Sequence, residues 1–288
     1  MDNIKKDLED NGYAIVPNVL SAEEVDYCKG EFRDWQSRIP NHTQFHKYMD
    51  PNGIYKYHRV GHTKHAWFIR TRPSVQDVFK HLWNTDELVV SFDGACYVSK
   101  DDMKVKDRIW THTDQASKSS ELQCYQGFVA LTENKERTLV VYEGSHKLHE
   151  SYFKDRSMSD TKNWQLIDHA YLDEIKERKR ILHVPAGALV LWDSRTFHQN
   201  QLGKPGSEER IVQYVSYLPK NGPKNSKAMH NKRLKYLRDQ RTTSHWAYPI
   251  KVNGIQPQTY GNPMYLIDYD KIPMNDLSEL NEDILKIV

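Results

Sequence analysis

Apolar and polar positions follow one rhythm before about residue 87 and another after it. Residues 2–38 read as helix, strand, helix. The charged opening segment gives way after Gly12 to the apolar run Tyr13-Ala-Ile-Val16, which Pro17 stops. Ser21, with Glu24 three residues on, forms a capping box and opens a helix that runs to about Arg38. Residues 40–66 are rich in His, Asn, Gly and Pro and predict irregular backbone. Pro73 begins another helix, with Val75, Val78, Phe79 and Leu82 at helical spacing on one face.

From about residue 88 the pattern becomes that of strands. Leu88–Phe92, Ala95–Val98, Leu122–Leu131, Thr138–Tyr142, Ala188–Trp192 and Arg210–Leu218 are short and rich in β-branched or aromatic residues. One helical insertion is expected around Asp160–Arg180. Helices do not recur between consecutive strands, which disfavours a parallel βαβ fold. The expected class is therefore α+β with a mainly β core, a sandwich or jelly roll wrapped by N-terminal helices. We expect one domain over 1–288: a helical flank at 1–87, a catalytic core at 88–218 with an insertion near 160–180, and a C-terminal extension at 219–288.

Composition narrows the class. The chain has 288 residues and a formal net charge of +2, so a generally basic nucleic-acid binder is not expected. The basic residues are nevertheless concentrated, because residues 224–241 carry seven Lys/Arg and a single Asp. That run reads as a solvated helix face or as an arm closing over an anionic substrate. No apolar stretch is long enough for a membrane span, and the charged start does not read as a signal peptide. Cys28, Cys96 and Cys124 are widely spaced, so a reducing, cytoplasmic setting is expected. Fourteen His beside 7 Trp and 17 Tyr suit a polar, metal-binding cavity in an aromatic shell.

The chemistry concentrates in three places. In His112-Thr-Asp114, period-two alternation puts both side chains on the same side of an extended segment. A second histidine reaching the same point completes a two-His, one-carboxylate triad, which binds ferrous iron and leaves positions open for a chelating cosubstrate and dioxygen. Such a histidine follows the turn and buried strand Val184–Asp193, in Ser-Arg-Thr-Phe-His198-Gln-Asn200. A hairpin loop then leads to Arg210, which opens the next strand and brings a guanidinium near the metal. Guanidinium binds carboxylate bidentately, as the distal end of 2-oxoglutarate requires. HxD, His and Arg in that order are far more specific than HxD alone.

With these residues, the stretch from Asp10-Asn-Gly-Tyr-Ala-Ile-Val-Pro17 to about Leu218 resembles the phytanoyl-CoA dioxygenase-like branch of the Fe(II)/2-oxoglutarate-dependent oxygenases. Further landmarks are Gln115, Gln126-Gly-Phe-Val-Ala-Leu131 and Gly144-Ser-His146-Lys. The resemblance implies a double-stranded β-helix (cupin-like jelly roll) with iron on His112, Asp114 and His198. It also implies Arg210 on the 2-oxoglutarate C5 carboxylate, with Gln126, Phe128 and Asn200 lining the cosubstrate pocket. Glu143 stands where the family has Pro before Gly-Ser-His, and the His198–Arg210 spacing is long. Related halogenases replace the acidic ligand with Gly or Ala; Asp114 is retained, which implies hydroxylation.

Other residues carry two readings. Arg195 is expected to contact substrate or an acidic partner. Trp110 flanks the pocket or belongs to the core, and Asp93 touches substrate or forms a turn. His146 is expected to be a structural turn residue, and His42, His46, His58, His62 and His65 to be mostly surface or loop. The expected protein is a 2-oxoglutarate-dependent dioxygenase hydroxylating a C–H bond of a small metabolite, with release of succinate and CO2. The competing readings direct the iron chemistry to a nucleotide or nucleic acid through 224–241, or make the chain a non-catalytic jelly-roll binding protein.

Overall fold

The computed structural model describes residues 2–39, 42, 52–102, 107–253 and 256–288. Its strands are β1 (Tyr13–Val16), β2 (Ile54–Tyr55), β3 (Leu88–Val90), β4 (Ala95–Val98), β5 (His112–Thr113), β6 (Tyr125–Ala130) and β7 (Thr138–Tyr142). They continue as β8 (Gln165–Leu166), β9 (Lys179–Ile181), β10 (Leu189–Asp193), β11 (His198–Gln201), β12 (Arg210–Val215) and β13 (Tyr217–Pro219). The chain divides into two compact units, Met1–Pro17 with Val98–Arg210, and Asn18–Tyr97 with Ile211–Val288.

The first unit carries two antiparallel layers. In one, β10 pairs with β1 on one side and β6 on the other, in a register that sets Trp192 opposite both Tyr13 and Gln126. The other is a sheet in the order β8-β5-β11-β7-β9. Every residue of β7 and β10 is buried, which explains their near-continuous apolar runs. The two edges are blunted, β8 by being two residues long and β9 by its exposed Lys179 and Arg180. Tyr142, Tyr152, Phe153, Ile167, Leu172, Ile175 and Phe197 form a cluster that packs the helices His149–Asp155 and His169–Glu174 onto this sheet. The stretch near 160–180 is thus less helical than its composition implies: a six-residue helix separates the edge strands β8 and β9. Their partners on β5 and β7 lie far away in sequence, so local periodicity could not show them.

The segment before Pro17 also belongs to this unit. Its helix, Asp2–Asn11, ends at Gly12, whose φ of +83° favours glycine. The Gly12 carbonyl accepts from the Asp193 amide at 3.0 Å and from Thr196 Oγ1 at 2.9 Å. His146 Nε2 lies 3.1 Å from the Glu9 carbonyl, so it is a buried turn histidine, as expected. Helix end, β1 and the turn that precedes β11 therefore brace one another.

In the second unit the capping box is present, with the Ser21 amide donating to Glu24 Oε2 at 2.9 Å and the Glu24 amide to Ser21 Oγ at 3.2 Å. The helix Pro73–Trp83 buries Val75, Val78, Phe79 and Leu82, the face its spacing predicts. β13 pairs with β3, and β2 with β4. The histidines preceding the strands depart from expectation. His62 and His65 are fully buried and His58 nearly so, while His46 lies outside the described residues. Trp67 and Phe92 pack on His62, and desolvation pushes both His62 and His65 down to about 3, so they are neutral core residues.

The C-terminal extension is fastened to its unit by polar contacts. The Arg59 guanidinium donates to the carbonyls of Asp239 at 2.6 Å and Tyr269 at 2.9 Å. Gln240 and Asn275 exchange backbone and side-chain hydrogen bonds. The basic run contains the helix Lys227–Arg238, capped by Ser226. Lys227, Lys232, Lys235 and Arg238 are exposed, whereas Arg233 is buried and donates to Asn225 Oδ1 at 2.8 Å. Among the described residues no helix is long and apolar enough to cross a membrane.

A Cβ built on Gly12 would stand 2.5 Å from His146 Nδ1 and 2.7 Å from Thr196 Oγ1. Gly12→Ala is accordingly expected to destabilise the protein by about 2 kcal/mol or more, read from urea unfolding. An unchanged midpoint would contradict this bracing.

Candidate metal centre

β5 and β11 are short strands whose pairing register puts His112 directly opposite His198. Directly opposed residues project from the same face, so two sequence-distant imidazoles meet, with ring centroids 4.4 Å apart. Asp114 follows His112 by two residues and brings its carboxylate to the same point. Asp114 Oδ2 lies 3.6 Å from His112 Nε2 and 3.3 Å from His198 Nε2. One ligand atom from each of the three residues falls within 4.8 Å of the others. Ligands at ~2.1 Å on adjacent octahedral positions stand about 3 Å apart, so small movements close this set around an ion.

The other ring nitrogens explain why the Nε2 atoms converge. His112 Nδ1 is 3.1 Å from the Trp110 carbonyl, and His198 Nδ1 is 2.9 Å from the Thr196 carbonyl. A carbonyl only accepts, so each Nδ1 carries a proton and Nε2 is the ring nitrogen left to face a metal. Burial holds His198 below the ordinary histidine value, which favours the neutral form that binds a cation. Two imidazoles and one carboxylate form a donor set for ferrous iron with positions left open.

The surrounding contacts hold this geometry. Gln126 Nε2 donates to Asp114 Oδ2 at 3.1 Å. The Asp114 amide and Thr113 Oγ1 both donate to the Ser194 carbonyl, at 3.1 and 2.9 Å. Gln199, buried beside His198, accepts from the Trp110 amide at 3.0 Å and Thr111 Oγ1 at 2.7 Å, and donates to the Arg108 carbonyl at 3.1 Å. Its side chain thereby clamps β11 to the segment that delivers His112.

Residues 8–201, a span that includes all three donors, match the family model of phytanoyl-CoA dioxygenase (PhyH). The chain belongs to this family. Ava biosynthesis cluster protein O of Aspergillus versicolor is 30% identical over 234 residues, covering 73% of this chain and 75% of that protein. Two solved structures share the fold at low identity. GlcNAc Inducible Gene 2 (GIG2) of Candida albicans superposes with a TM-score of 0.64 at 15% identity, over 98% of this chain and 76% of that one. HygX of Streptomyces hygroscopicus, solved with nickel, 2-oxoglutarate and hygromycin B bound, gives 0.52 at 12% identity, over 77% of this chain and 88% of that one. This member of the phytanoyl-CoA dioxygenase family is a 2-oxoglutarate oxygenase with iron as its metal, and His112, Asp114 and His198 are a donor set that could hold it.

The remaining candidates are distributed unequally. Trp110 stacks on the His112 ring at 4.9 Å and 22°, and its Nε1 donates to the Asn200 carbonyl at 3.1 Å. Phe128 follows Gln126 by two residues on β6 and lies 6.0 Å from Trp192, whose ring is 5.3 Å from His198. Arg210 is fully buried; its Nε donates to Asn134 Oδ1 at 2.9 Å, and its guanidinium stands 5.4 Å from the Phe128 ring. A run of contacts thus joins Arg210 to the triad through Phe128 and Trp192. Arg195 is committed to Asp193, with Nε at 3.0 Å and Nη2 at 2.6 Å from its two carboxylate oxygens, and to the Ser120 carbonyl at 2.7 Å. Asp93 belongs to the second unit, where its carboxylate accepts from the Gly94 amide at 2.7 Å, the turn-forming one of its two readings.

Sequence reasoning missed Gln199, Trp164 and Trp192. Gln199 had a readable signal: a polar residue between two site residues of one strand must face the other way. Trp164 had none, because the β5–β8 pairing that brings it within 5.4 Å of His112 joins segments about fifty residues apart.

Gln126 donates to the carboxylate of the candidate donor Asp114. Gln126→Leu is expected to weaken binding of a divalent ion roughly tenfold, measured by competitive titration with zinc. Unchanged affinity would show that the Gln126–Asp114 contact does no orienting.

Proposed function

We propose that the protein uses iron(II), 2-oxoglutarate and dioxygen to hydroxylate an unactivated C–H bond of a small metabolite, yielding succinate and carbon dioxide. The observation that carries this reading is the direction of the donors: both Nδ1 atoms are tied to carbonyls, and both Nε2 atoms face one carboxylate. In this reading the two antiparallel layers are the halves of a double-stranded β-helix, and the site lies on one of them.

His112, Asp114 and His198 hold the iron, which when bound supplies dioxygen activation coupled to decarboxylation of the 2-oxo acid. Arg210 binds the distal carboxylate of 2-oxoglutarate, where burial strengthens a bidentate guanidinium contact. Gln126 and Phe128 line the path between the two ends from one face of β6, about 7 Å apart along the strand. Phe128 and Trp192 exclude water there, and Asn200 anchors Trp110 against His112. Asp114 fills the ligand position that related halogenases vacate for chloride, which supports hydroxylation. A small-metabolite substrate is supported by the hygromycin B bound in HygX and by the biosynthesis-cluster name of the Aspergillus relative.

The test is succinate formation by protein reconstituted anaerobically with iron(II) and then exposed to dioxygen and 2-oxoglutarate. Turnover stimulated by a small metabolite, with a gain of one oxygen in its mass, is expected. Arg210→Ala should raise the KM for 2-oxoglutarate at least tenfold while the protein still binds iron. Absence of succinate above background with every candidate substrate, or an unchanged KM in Arg210→Ala, would overturn the respective assignment.

A further inference from the structure

Across the sheet β8-β5-β11-β7-β9, the pairings set Leu166, His112, His198, Val141 and Arg180 in one row. Opposed residues of antiparallel strands share a face, so Leu166 projects from the face that carries the two metal-ligand histidines. Trp164, two residues earlier, also reaches that face: its ring centroid lies 5.4 Å from that of His112, tilted by 33°. Yet Trp164 is 41% exposed and Leu166 51% exposed.

This exposure does not come from a frayed segment. The intervening Gln165 and the following Ile167 are both buried, and the Ile167 amide donates to the Thr111 carbonyl at 2.9 Å. The Asp168 amide donates to the Tyr152 hydroxyl at 2.8 Å, and Ile167 belongs to the aromatic cluster under the sheet. The strand is pinned from below while it presents an indole and an isobutyl group outward, beside a metal ligand. Two neighbouring apolar side chains held exposed beside a candidate metal ligand offer a surface on which an apolar group can be buried. A flat ring against Trp164 gains both area and stacking, whereas a hydrated polar group gains neither.

We propose that Trp164 and Leu166 form the substrate-binding wall of the iron site, and that the substrate presents a planar aromatic group to them. The proposal rests on the reading of His112, Asp114 and His198 as the iron site, and it names the substrate class that site takes. Trp110, stacked on the same imidazole, fixes the position of the ring against which Trp164 stands.

The test uses indole as the aromatic probe and tetramethylammonium as a cation that would exploit an indole face without a planar partner. Binding of each is followed by saturation-transfer NMR to the full chain, metal-free and zinc-loaded, in wild type and in Trp164→Ala, Trp164→Phe and Leu166→Asp. Circular dichroism and zinc affinity, read in parallel, show that each variant is folded with its metal site intact. Indole is expected to bind wild type, to lose about tenfold or more in affinity in Trp164→Ala and Leu166→Asp, and to keep most of it in Trp164→Phe. Indole binding that is absent in wild type, or equal in wild type and Trp164→Ala, would overturn the proposal. Binding of tetramethylammonium in place of indole would overturn the aromatic occupant. Failure of zinc to bind wild type would instead strike at the iron-site reading, so the two failures are separable.

Discussion

The antiparallel pairing of β5 with β11 sets His112 opposite His198, and the rest of the candidate site depends on that register. A slip of one residue would turn one imidazole to the other face of the sheet and leave no second nitrogen beside Asp114. The strands are too short to hold the register through their own ladder, at two and four residues. Side chains do so instead. Gln199 grips the backbone before His112, and Thr113 grips the Ser194 carbonyl before β11.

A chain of supports runs outward from this pair. Ser194 Oγ donates to Gln115 Oε1 at 2.7 Å, and the Gln115 amide group donates to the Ser119 and Glu121 carbonyls, which shapes the loop after Asp114. The Asp193–Arg195 ion pair and the Gly12 carbonyl shape the turn before His198. Residues outside the chemistry thereby decide where the ligands point. A preorganised site needs its ligands held before the metal arrives, and polar contacts to backbone accomplish this at low conformational freedom.

Much of this was legible in the residues, for identifiable reasons. The capping box at Ser21, the apolar face of Pro73–Trp83 and the buried runs of β7 and β10 are local patterns, and each appears as its spacing requires. The triad was legible because HxD fixes two donors through period-two alternation, and His198 follows a recognisable buried strand. Features that depend on pairing between distant segments were not. The strands β8 and β9, the approach of Trp164 and the clamp by Gln199 follow from long-range register. The buried His62 and His65 misled for a related reason: a histidine-rich stretch looks solvated until Trp67 and Phe92 are seen to close over it. Of the two readings of Arg195, substrate or an acidic partner, the ion pair with Asp193 is the second.

The central claim is that His112 and His198 present Nε2, with Nδ1 protonated, to one metal ion shared with Asp114. Nitrogen-15 NMR of the histidine rings in zinc-loaded protein tests it most directly. The account predicts that two histidines, assigned through His112→Ala and His198→Ala, shift at Nε2 on zinc addition and keep a protonated Nδ1. Metal bound through Nδ1 at either residue, or zinc binding that leaves both rings unshifted, would contradict it.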